Sequence, residues 1–262
     1  MCLILFAHRA HAALPLVVAA NRDECYQRPT REAGFWPEEP RLLAGRDLQA
    51  GGTWMGITRQ GRFAAVTNFR DGESTGNASR SRGELTRDFL LGESKPLDYA
   101  HQVLEIAHEY AGFNLLVGDT DDLVYCENLG NTLRQIPPGV YGLSNHLLDS
   151  PWPKVVRGKN RLTTLLKNWR SSGQADSRQL LNLLTDNSIA DDLHLPDTGV
   201  GLALERCLSP IFIEADGYGT CSSTVIAVDR EQQVKFHERS FYFPTPRDVV
   251  FQFALEPAGR NY

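Results

Sequence analysis

The sequence of 262 residues predicts an α+β protein in which two β-sheets carry helices on their outer faces. Two observations predict this class. Strand-like and helix-like segments come in blocks, as strands, a helix pair, strands, a second helix pair and strands, without the regular alternation that a doubly wound parallel sheet needs. The first two strands are apolar on both faces, which indicates that layers cover them on two sides. We expect a single domain over residues 1–262.

The chain begins with two short apolar segments, residues 2–7 and 14–20, on either side of a polar turn. Their apolar character suggests a signal peptide, but no basic residue precedes the apolar run and Arg9 interrupts it. Neither segment reaches the roughly 18 apolar residues that a membrane-spanning helix requires. We therefore expect two central strands, no transmembrane segment and a cytoplasmic location.

Turn and capping signals divide the rest of the chain. Ser81 and Glu84 have the spacing of a capping box, so a helix is expected to begin there. The stretch after Glu24, to about residue 52, is rich in Pro, Arg and Glu and is predicted to be a loop. Three more helices are predicted at residues 97–110, 154–169 and 178–185. Further strands are predicted at residues 53–57, 62–69, 113–118, 123–127, 132–136, 141–145, 211–214, 223–229, 234–240 and 249–255.

The composition, 42% hydrophobic and 23% charged with a net charge of −5, is that of a soluble globular protein. The acidic balance argues against a nucleic-acid or anionic-membrane partner, because such partners bind basic surfaces. The five cysteines form no C-x-x-C pair and the seven histidines no H-E-x-x-H motif, so neither a disulfide framework nor a metal site is expected. The absence of Walker, G-x-G-x-x-G and G-x-S-x-G motifs disfavours nucleotide-dependent enzymes and α/β-hydrolases.

Cys2 is the first candidate for chemistry. Removal of Met1 would leave a cysteine whose thiol and α-amine belong to one residue. The amine has an ordinary pKa of about 8 and can accept the proton of the thiol without help from a histidine. The alternative is structural, because Cys2 also alternates with Ile4 and Phe6 on one face of a buried strand. Periodicity by itself favours the structural role.

The polar residues Asn21 to Glu24 directly follow the second apolar strand. Alternation along a continuing strand would put Asn21 and Asp23 on one face and Arg22 on the other. Charges this close to a buried strand are costly unless they are paired or serve a function such as binding or catalysis. In a functional interpretation, Asp23 orients a cationic α-amine and Arg22 holds a substrate anion or supports the nucleophile. In a structural interpretation, they form a local ion pair at a solvated strand end.

Asn68 and Asn145 each stand at the end of a predicted strand. A side-chain amide at a strand exit can donate a hydrogen bond to an oxyanion, and such donors lower the barrier by about 3–4 kcal/mol. Asparagine is also a common turn former, so either residue taken singly is better explained as a turn residue.

Several short motifs occur in order along nearly the whole chain. They are Met1-Cys2, Ala20-Asn21-Arg22-Asp23-Glu24, Gly51-Gly52-Thr53-Trp54-Met55-Gly56-Ile57, Thr67-Asn68, Arg82-Gly83-Glu84-Leu85, Gly112-Phe113-Asn114-Leu115, Tyr141-Gly142-Leu143-Ser144-Asn145, Pro151-Trp152-Pro153-Lys154, Tyr218-Gly219-Thr220 and Glu238-Arg239-Ser240-Phe241. Together these motifs are highly specific, and the chain resembles the NRDE family, also called the Transport and Golgi organisation 2 family.

The resemblance implies a four-layer α/β/β/α fold of the N-terminal-nucleophile hydrolase type, similar to choloylglycine and penicillin V amidases. By likeness of position, Cys2 would attack a small amide, with Arg22 and Asp23 as its supporting pair. Asn68 and Asn145 would be the polar contacts near the oxyanion. Hydrolysis of this kind requires no cofactor.

Other family features imply a different use of the same pocket. The family is associated with haem trafficking and with lipid or acyl-CoA homeostasis, so the alternative is a non-catalytic carrier of haem or another amphipathic ligand. His108 is the candidate axial ligand and a Cys2 thiolate the competing one. Asn21 and Cys221 are also counted as ligand-binding candidates. Cys221 stands where the family often has an arginine, which puts a second thiol near the site and removes an expected guanidinium.

Overall fold

The computed structural model describes residues 3–70, 78–119, 121–169 and 176–257, and within these ranges the chain forms two seven-stranded antiparallel sheets. The strands of the first sheet are β1 (Leu3–His11), β2 (Leu14–Cys25), β10 (Gly139–Leu143), β11 (Glu214–Ala215), β12 (Tyr218–Val228), β13 (Gln233–Ser240) and β14 (Arg247–Ala254). Those of the second are β3 (Thr30–Trp36), β4 (Glu39–Asp47), β5 (Met55–Thr58), β6 (Phe63–Asn68), β7 (Phe113–Gly118), β8 (Leu123–Glu127) and β9 (Thr132–Gln135). The first sheet has the order β10-β1-β2-β12-β13-β14 with β11 beside β12, and the second follows chain order.

The helices cover the outer faces of both sheets. They are α1 (Arg82–Leu91), α2 (Pro96–Glu105), α3 (Pro153–Lys167) and α4 (Ser177–Leu183). A short fifth helix, α5 (Leu202–Cys207), contributes no residue to the two outer cores. One apolar core lies between the sheets, a second lies between the first sheet and α3 with α4, and a third lies between the second sheet and α1 with α2. The predicted four-layer α/β/β/α arrangement is confirmed. Among the described residues, no helix is long and apolar enough to cross a membrane.

The central strand β1 shows why two helical layers are needed. Leu3 and Leu5 belong to the core under α3 and α4, whereas Ile4 and Phe6 belong to the core between the sheets. All four side chains are almost completely buried. A strand that is apolar at every position can be stable only when both of its faces are covered.

The prediction of a loop after Glu24, to about residue 52, is wrong, because this stretch contains β3 and β4. The two strands form a hairpin at the edge of the second sheet. Only some of its residues, such as Ala33 and Trp36, are buried, while charged side chains such as Arg31 and a proline at Pro40 lie on the exposed side. The charged residues and the proline interrupt the apolar alternation by which a strand is recognised in a sequence, so the composition indicates a loop.

Three smaller differences concern helix and strand ends. The second helix ends at Glu105, and a short 3-10 turn at Ala107–Glu109 follows it. The strand predicted at residues 211–214 is reduced to β11, and the short helix α5 was not expected. The remaining strands and the helix that begins after Ser81 agree with the predictions within a few residues, except that β2 and β12 are longer.

The pairing of β2 with β12 at the centre of the first sheet positions the polar segment of β2. Asp23 pairs with Thr220 and Arg22 with Ser222, so one residue of β12, Cys221, has no partner in the register. This is a β-bulge, a feature that re-aims side chains locally. It lies directly opposite the Arg22–Asp23 pair.

Candidate functional site

The polar end of β2 lies beside the start of β1. Leu3 pairs with Asn21, and Arg22 and Asp23 follow directly. Cys2 lies outside the described residues, so its own position stays a prediction. Its neighbour Leu3 is fully buried and lies in the sheet next to the segment that carries both charges.

Arg22 faces the space between the two sheets. Its guanidinium carbon lies 4.3 Å from the centroid of the Trp54 ring, and its Nη2 lies 3.7 Å from Oε2 of Glu24. Its Nη1 donates a hydrogen bond to the hydroxyl of Tyr242. Because only 4% of the side chain is exposed, its charge is compensated by an aromatic face, a carboxylate and a hydroxyl instead of bulk water.

Asp23 faces the opposite side of the sheet, as alternation predicted. Its Oδ1 accepts a hydrogen bond of 2.7 Å from the hydroxyl of Thr220 on β12. Both residues are buried. Arg22 and Asp23 are therefore not an ion pair with each other, and each is supported by its own set of partners.

Asn21 is used to hold the first sheet to its helical layer. Its Nδ2 donates to the carbonyl oxygens of Leu184 and Ile211 at 2.9 and 2.7 Å, and its Oδ1 accepts from Ser223 Oγ at 2.6 Å. The side chain is fully buried. These contacts use both ends of the amide, so Asn21 acts as a structural link, whereas a role in ligand binding stays a prediction.

Cys221, the bulged residue, lies on the Arg22 side of the site. Its Sγ is 3.5 Å from the carbonyl oxygen of Glu24. Burial raises the pKa of this thiol, whereas the hydroxyl of Tyr242 and the charge of Arg22 act in the opposite direction. A buried, protonated thiol therefore shares the surroundings of Arg22 at the position where the family often has an arginine.

The two asparagines predicted separately are neighbours. The side-chain amide of Asn145 donates to the backbone carbonyl of Asn68 at 3.0 Å, and the backbone N–H of Arg70 donates to the carbonyl of Asn145 at 2.6 Å. These bonds join the end of β6 in one sheet to the segment after β10 in the other. Asn145 is buried and Asn68 is exposed.

Two clefts meet at Asn68. The first has a volume of about 200 Å³ and the second of about 240 Å³. The first is lined by charged and polar side chains, among them Arg22, Glu24, Arg28, Asp47, Arg80 and Arg82. The second is largely apolar and is lined by Phe69, Val200, Leu204, Leu208 and Ile213, with Asn145 and Arg70 at its polar edge. The site thus offers a polar and an apolar compartment on either side of one asparagine.

One wall of the polar cleft is built by a close contact between two family motifs. A Cβ added to Gly52 would lie 2.5 Å from the backbone carbonyl carbon and oxygen of Gly83, a distance that no side chain could adopt. The carbonyl of Gly83 also accepts the N–H of Thr53 at 3.2 Å. Glycine is needed at residue 52 because it lets the start of α1 approach the segment that carries Trp54.

His108 is not brought together with the other predicted residues. It is exposed on the 3-10 turn after α2 and is not among the side chains that line either cleft. Its role as an axial ligand stays a prediction. Among the described residues, no three His, Cys, Asp or Glu side chains are grouped so that they could hold a metal ion.

Three residues at the site were not predicted from sequence to act there. Trp54 and Thr220 belong to family motifs, and the only signal that could have pointed to them was their place in those motifs. Tyr242 had no signal at all, because it approaches Arg22 across a sequence separation of 220 residues.

The fold is similar to that of two solved hydrolases. A Caenorhabditis elegans N-acylethanolamine-hydrolyzing acid amidase ortholog matches with a TM-score of 0.54 at 10% identity, covering 86% of this chain and 92% of that chain. A single-residue variant of conjugated bile acid hydrolase from Clostridium perfringens matches with a TM-score of 0.50 at 11% identity, covering 100% of this chain and 99% of that chain. The fold is therefore of the N-terminal-nucleophile hydrolase type, as predicted.

The sequence comparisons identify the family. The model of the family Transport and Golgi organisation 2 matches residues 1–243. A Transport and Golgi organization protein 2 homolog from Bos taurus is 36% identical over 267 residues, covering 94% of this chain and 95% of the relative. The chain belongs to the Transport and Golgi organisation 2 family.

Proposed function

We propose that the chain is a cysteine amide hydrolase of the N-terminal-nucleophile type, with Cys2 as the nucleophile. The observation that carries this proposal is the pairing of Leu3 with Asn21, because it brings the neighbour of Cys2 next to the strand end that holds Arg22 and Asp23. Both charged side chains are buried, and burying a charge costs desolvation free energy, which favours a functional role for them.

In the proposed reaction, the α-amine of a chain that lacks Met1 takes the thiol proton, and the thiolate attacks the amide carbonyl carbon. The tetrahedral oxyanion collapses to a thioester, and the α-ammonium gives its proton to the leaving amine. A water molecule then attacks the thioester while the α-amine takes one of its protons. Collapse of the second oxyanion releases the carboxylic acid, and the departing thiolate recovers the proton.

The surrounding residues support separate parts of this reaction. Asp23 is proposed to orient the α-ammonium, since a nearby carboxylate favours the charged form of an amine. Arg22 is proposed to stabilise the thiolate from the side between the sheets. Asn145 has a second side-chain N–H besides the one donated to Asn68, and this N–H is the proposed oxyanion donor.

The adjoining clefts support a small amide with one apolar and one polar part. The apolar part would contact the wall that contains Leu204 and Leu208, and the polar part would lie toward Arg22. Asn68 stands between the two clefts, so the scissile amide is proposed to lie beside it.

The test is single-turnover hydrolysis of anilides with acyl chains of increasing length. We expect release of the chromogenic amine together with an acyl adduct on the peptide that contains Cys2, trapped by rapid acid quench and located by mass spectrometry. Cys2→Ala should abolish both signals. Cys25→Ala, which removes an exposed thiol that lines neither cleft, should retain both. Equal amine release by Cys2→Ala and the unmodified chain would overturn the proposal.

A second candidate function, a non-catalytic carrier of haem or another amphipathic ligand, is favoured by the junction of an apolar and an arginine-lined cleft. Haem titration tests it. If haem occupies the clefts, the chain and His108→Ala should show the same Soret shift, because His108 lines neither cleft. Arg22→Met should weaken the shift, because Arg22 lines the polar cleft. Loss of the shift in His108→Ala would support that histidine as the ligand, and no shift in the unmodified chain would reject haem.

A further inference from the structure

The hydroxyl of Thr220 lies between the Asp23 carboxylate and the backbone of Ile213. Its oxygen is 2.7 Å from Asp23 Oδ1 and 2.9 Å from the Ile213 nitrogen. The N–H of Ile213 can only donate, so it occupies a lone pair of the hydroxyl oxygen. The single hydroxyl proton is therefore directed to Asp23.

Burial and a second hydrogen bond constrain this arrangement. Thr220 and Asp23 are buried, and the backbone N–H of Thr220 donates a second bond, of 2.8 Å, to the carbonyl of Ile213. The register of β12 on β2 places Thr220 directly opposite Asp23, next to the bulge at Cys221. A hydrogen bond that a hydroxyl donates to a buried carboxylate is stronger than one between neutral groups.

The same hydroxyl connects the carboxylate to the apolar cleft. Ile213 is part of the wall of that cleft, together with Leu204 and Leu208. A movement of this wall would change the hydrogen-bond geometry at Thr220, and through it the position of the Asp23 carboxylate. Ile213 and the Thr220 hydroxyl thus link the cleft to the Asp23 carboxylate.

We propose that Thr220 is a positioning residue that fixes the Asp23 carboxylate relative to the α-amine of Cys2 and to the apolar cleft. The inference rests on the proposed function of Cys2. In this role, Thr220 acts through Asp23.

The test is the pH profile of alkylation by iodoacetamide, followed at the Cys2 peptide by mass spectrometry on a chain without Met1. Thr220→Val removes the hydroxyl and keeps the shape of the side chain. Loss of its hydrogen bond should weaken the carboxylate's support of the α-ammonium, and thereby the thiolate. We expect alkylation of Cys2 at neutral pH to slow about tenfold, the effect of one hydrogen bond to a charged group, with the profile shifted to higher pH.

Two variants distinguish a positioning role of the Thr220 hydroxyl from a nonspecific effect of substitution on the fold. Thr220→Ser retains the hydroxyl and should keep the profile of the unmodified chain. Thr224→Val removes a buried hydroxyl from the same strand that bonds Glu238 instead, and it should also keep that profile. If Thr220→Val does not fold, Thr220→Ala removes the same hydroxyl with a smaller side chain.

The outcomes distinguish this inference from the proposed function. A folded Thr220→Val or Thr220→Ala with an unchanged Cys2 profile overturns the role of Thr220. A slow profile in Thr220→Ser overturns it as well, because the hydroxyl would then not be the cause. A Cys2 thiol that reacts no faster than an ordinary thiol in the unmodified chain overturns the proposed function itself.

Discussion

The guanidinium of Arg22 stacks over the ring of Trp54, with 4.3 Å between the guanidinium carbon and the ring centroid. Arg22 belongs to the first sheet, and Trp54 directly precedes β5 of the second. The contact therefore joins the polar end of β2 to the second sheet in the wall of the polar cleft. It also explains why two separate family motifs meet at one site.

This stacking can be measured by a double-mutant cycle of Arg22→Met and Trp54→Leu. We expect a coupling free energy of about 0.5–2 kcal/mol in urea unfolding, because the pair is largely removed from water. The control cycle combines Arg22→Met with Trp169→Leu, because Trp169 packs against the core under α3 and α4 instead. A coupling near zero for Arg22 and Trp54 would show that the contact contributes no stability.

Asn21 offers a test of the link between the first sheet and its helical layer. Asn21→Ala would leave the carbonyls of Leu184 and Ile211 buried without their donor. We expect a loss of about 2–4 kcal/mol in the free energy of unfolding, since each unsatisfied buried group costs about 1–3 kcal/mol. Asn182→Ala, at an exposed position of α4, should stay within about 0.5 kcal/mol. Similar losses for the two variants would contradict the structural role.

Glu238 should make the stability depend on pH in the neutral range. It lies fully buried between the sheets, where it accepts bonds from the N–H of Ala33 and the hydroxyl of Thr224. Burial raises its pKa from 4.5 to about 7. The folded state therefore retains a proton that the unfolded state releases. The contribution of Glu238 to stability is fully present below about pH 4.5 and is lost as the pH rises through about 7.

The variant Glu238→Gln tests this dependence because it carries no charge: its amide oxygen can accept from the Ala33 N–H, and its NH2 group can donate to the Thr224 hydroxyl. Urea unfolding at about pH 8 should show a gain of roughly 1–3 kcal/mol, and the slope of stability between pH 4.5 and 7 should flatten. Glu231→Gln, at an exposed turn, should leave both unchanged. An unaltered slope in Glu238→Gln would contradict the assignment.

The preceding residue along the strand, His237, has the opposite pH dependence. It faces the outer layer, with Nδ1 2.8 Å from Ser177 Oγ and Nε2 3.4 Å from Asp248 Oδ2. Burial lowers its pKa below 6.5, whereas Asp248 acts in the opposite direction and Arg239 adds to the lowering. The folded state resists protonation, so this contribution to stability is present above pH 6.5 and is lost as the pH falls.

His237→Asn should therefore lose less stability than the unmodified chain when the pH is lowered from about 7 to 5. Thermal unfolding at both values measures the difference. His101→Asn, an exposed histidine on α2, should behave as the unmodified chain does. A steeper loss in His237→Asn would mean that the pair with Asp248 outweighs burial.

The central strands and the fold class could be predicted because continuous apolar runs and the capping signal at Ser81 are local. The hairpin of β3 and β4 could not, since it lies at a sheet edge where charged and polar residues interrupt the apolar pattern. The residues that contact Arg22 and Asp23 could not be predicted either. Thr220 meets Asp23 across 197 residues and Tyr242 meets Arg22 across 220, and such contacts depend on strand register, which local patterns do not determine.

The central claim is that Cys2 is an N-terminal nucleophile supported by Arg22 and Asp23. The most direct measurement is the intact mass of the isolated chain, combined with the alkylation rate of Cys2 relative to that of the exposed Cys25 in the same sample. We predict that the chain is lighter by one methionine residue and that Cys2 reacts faster than Cys25 at neutral pH. Retention of Met1, with Cys2 reacting no faster than Cys25, would contradict the claim.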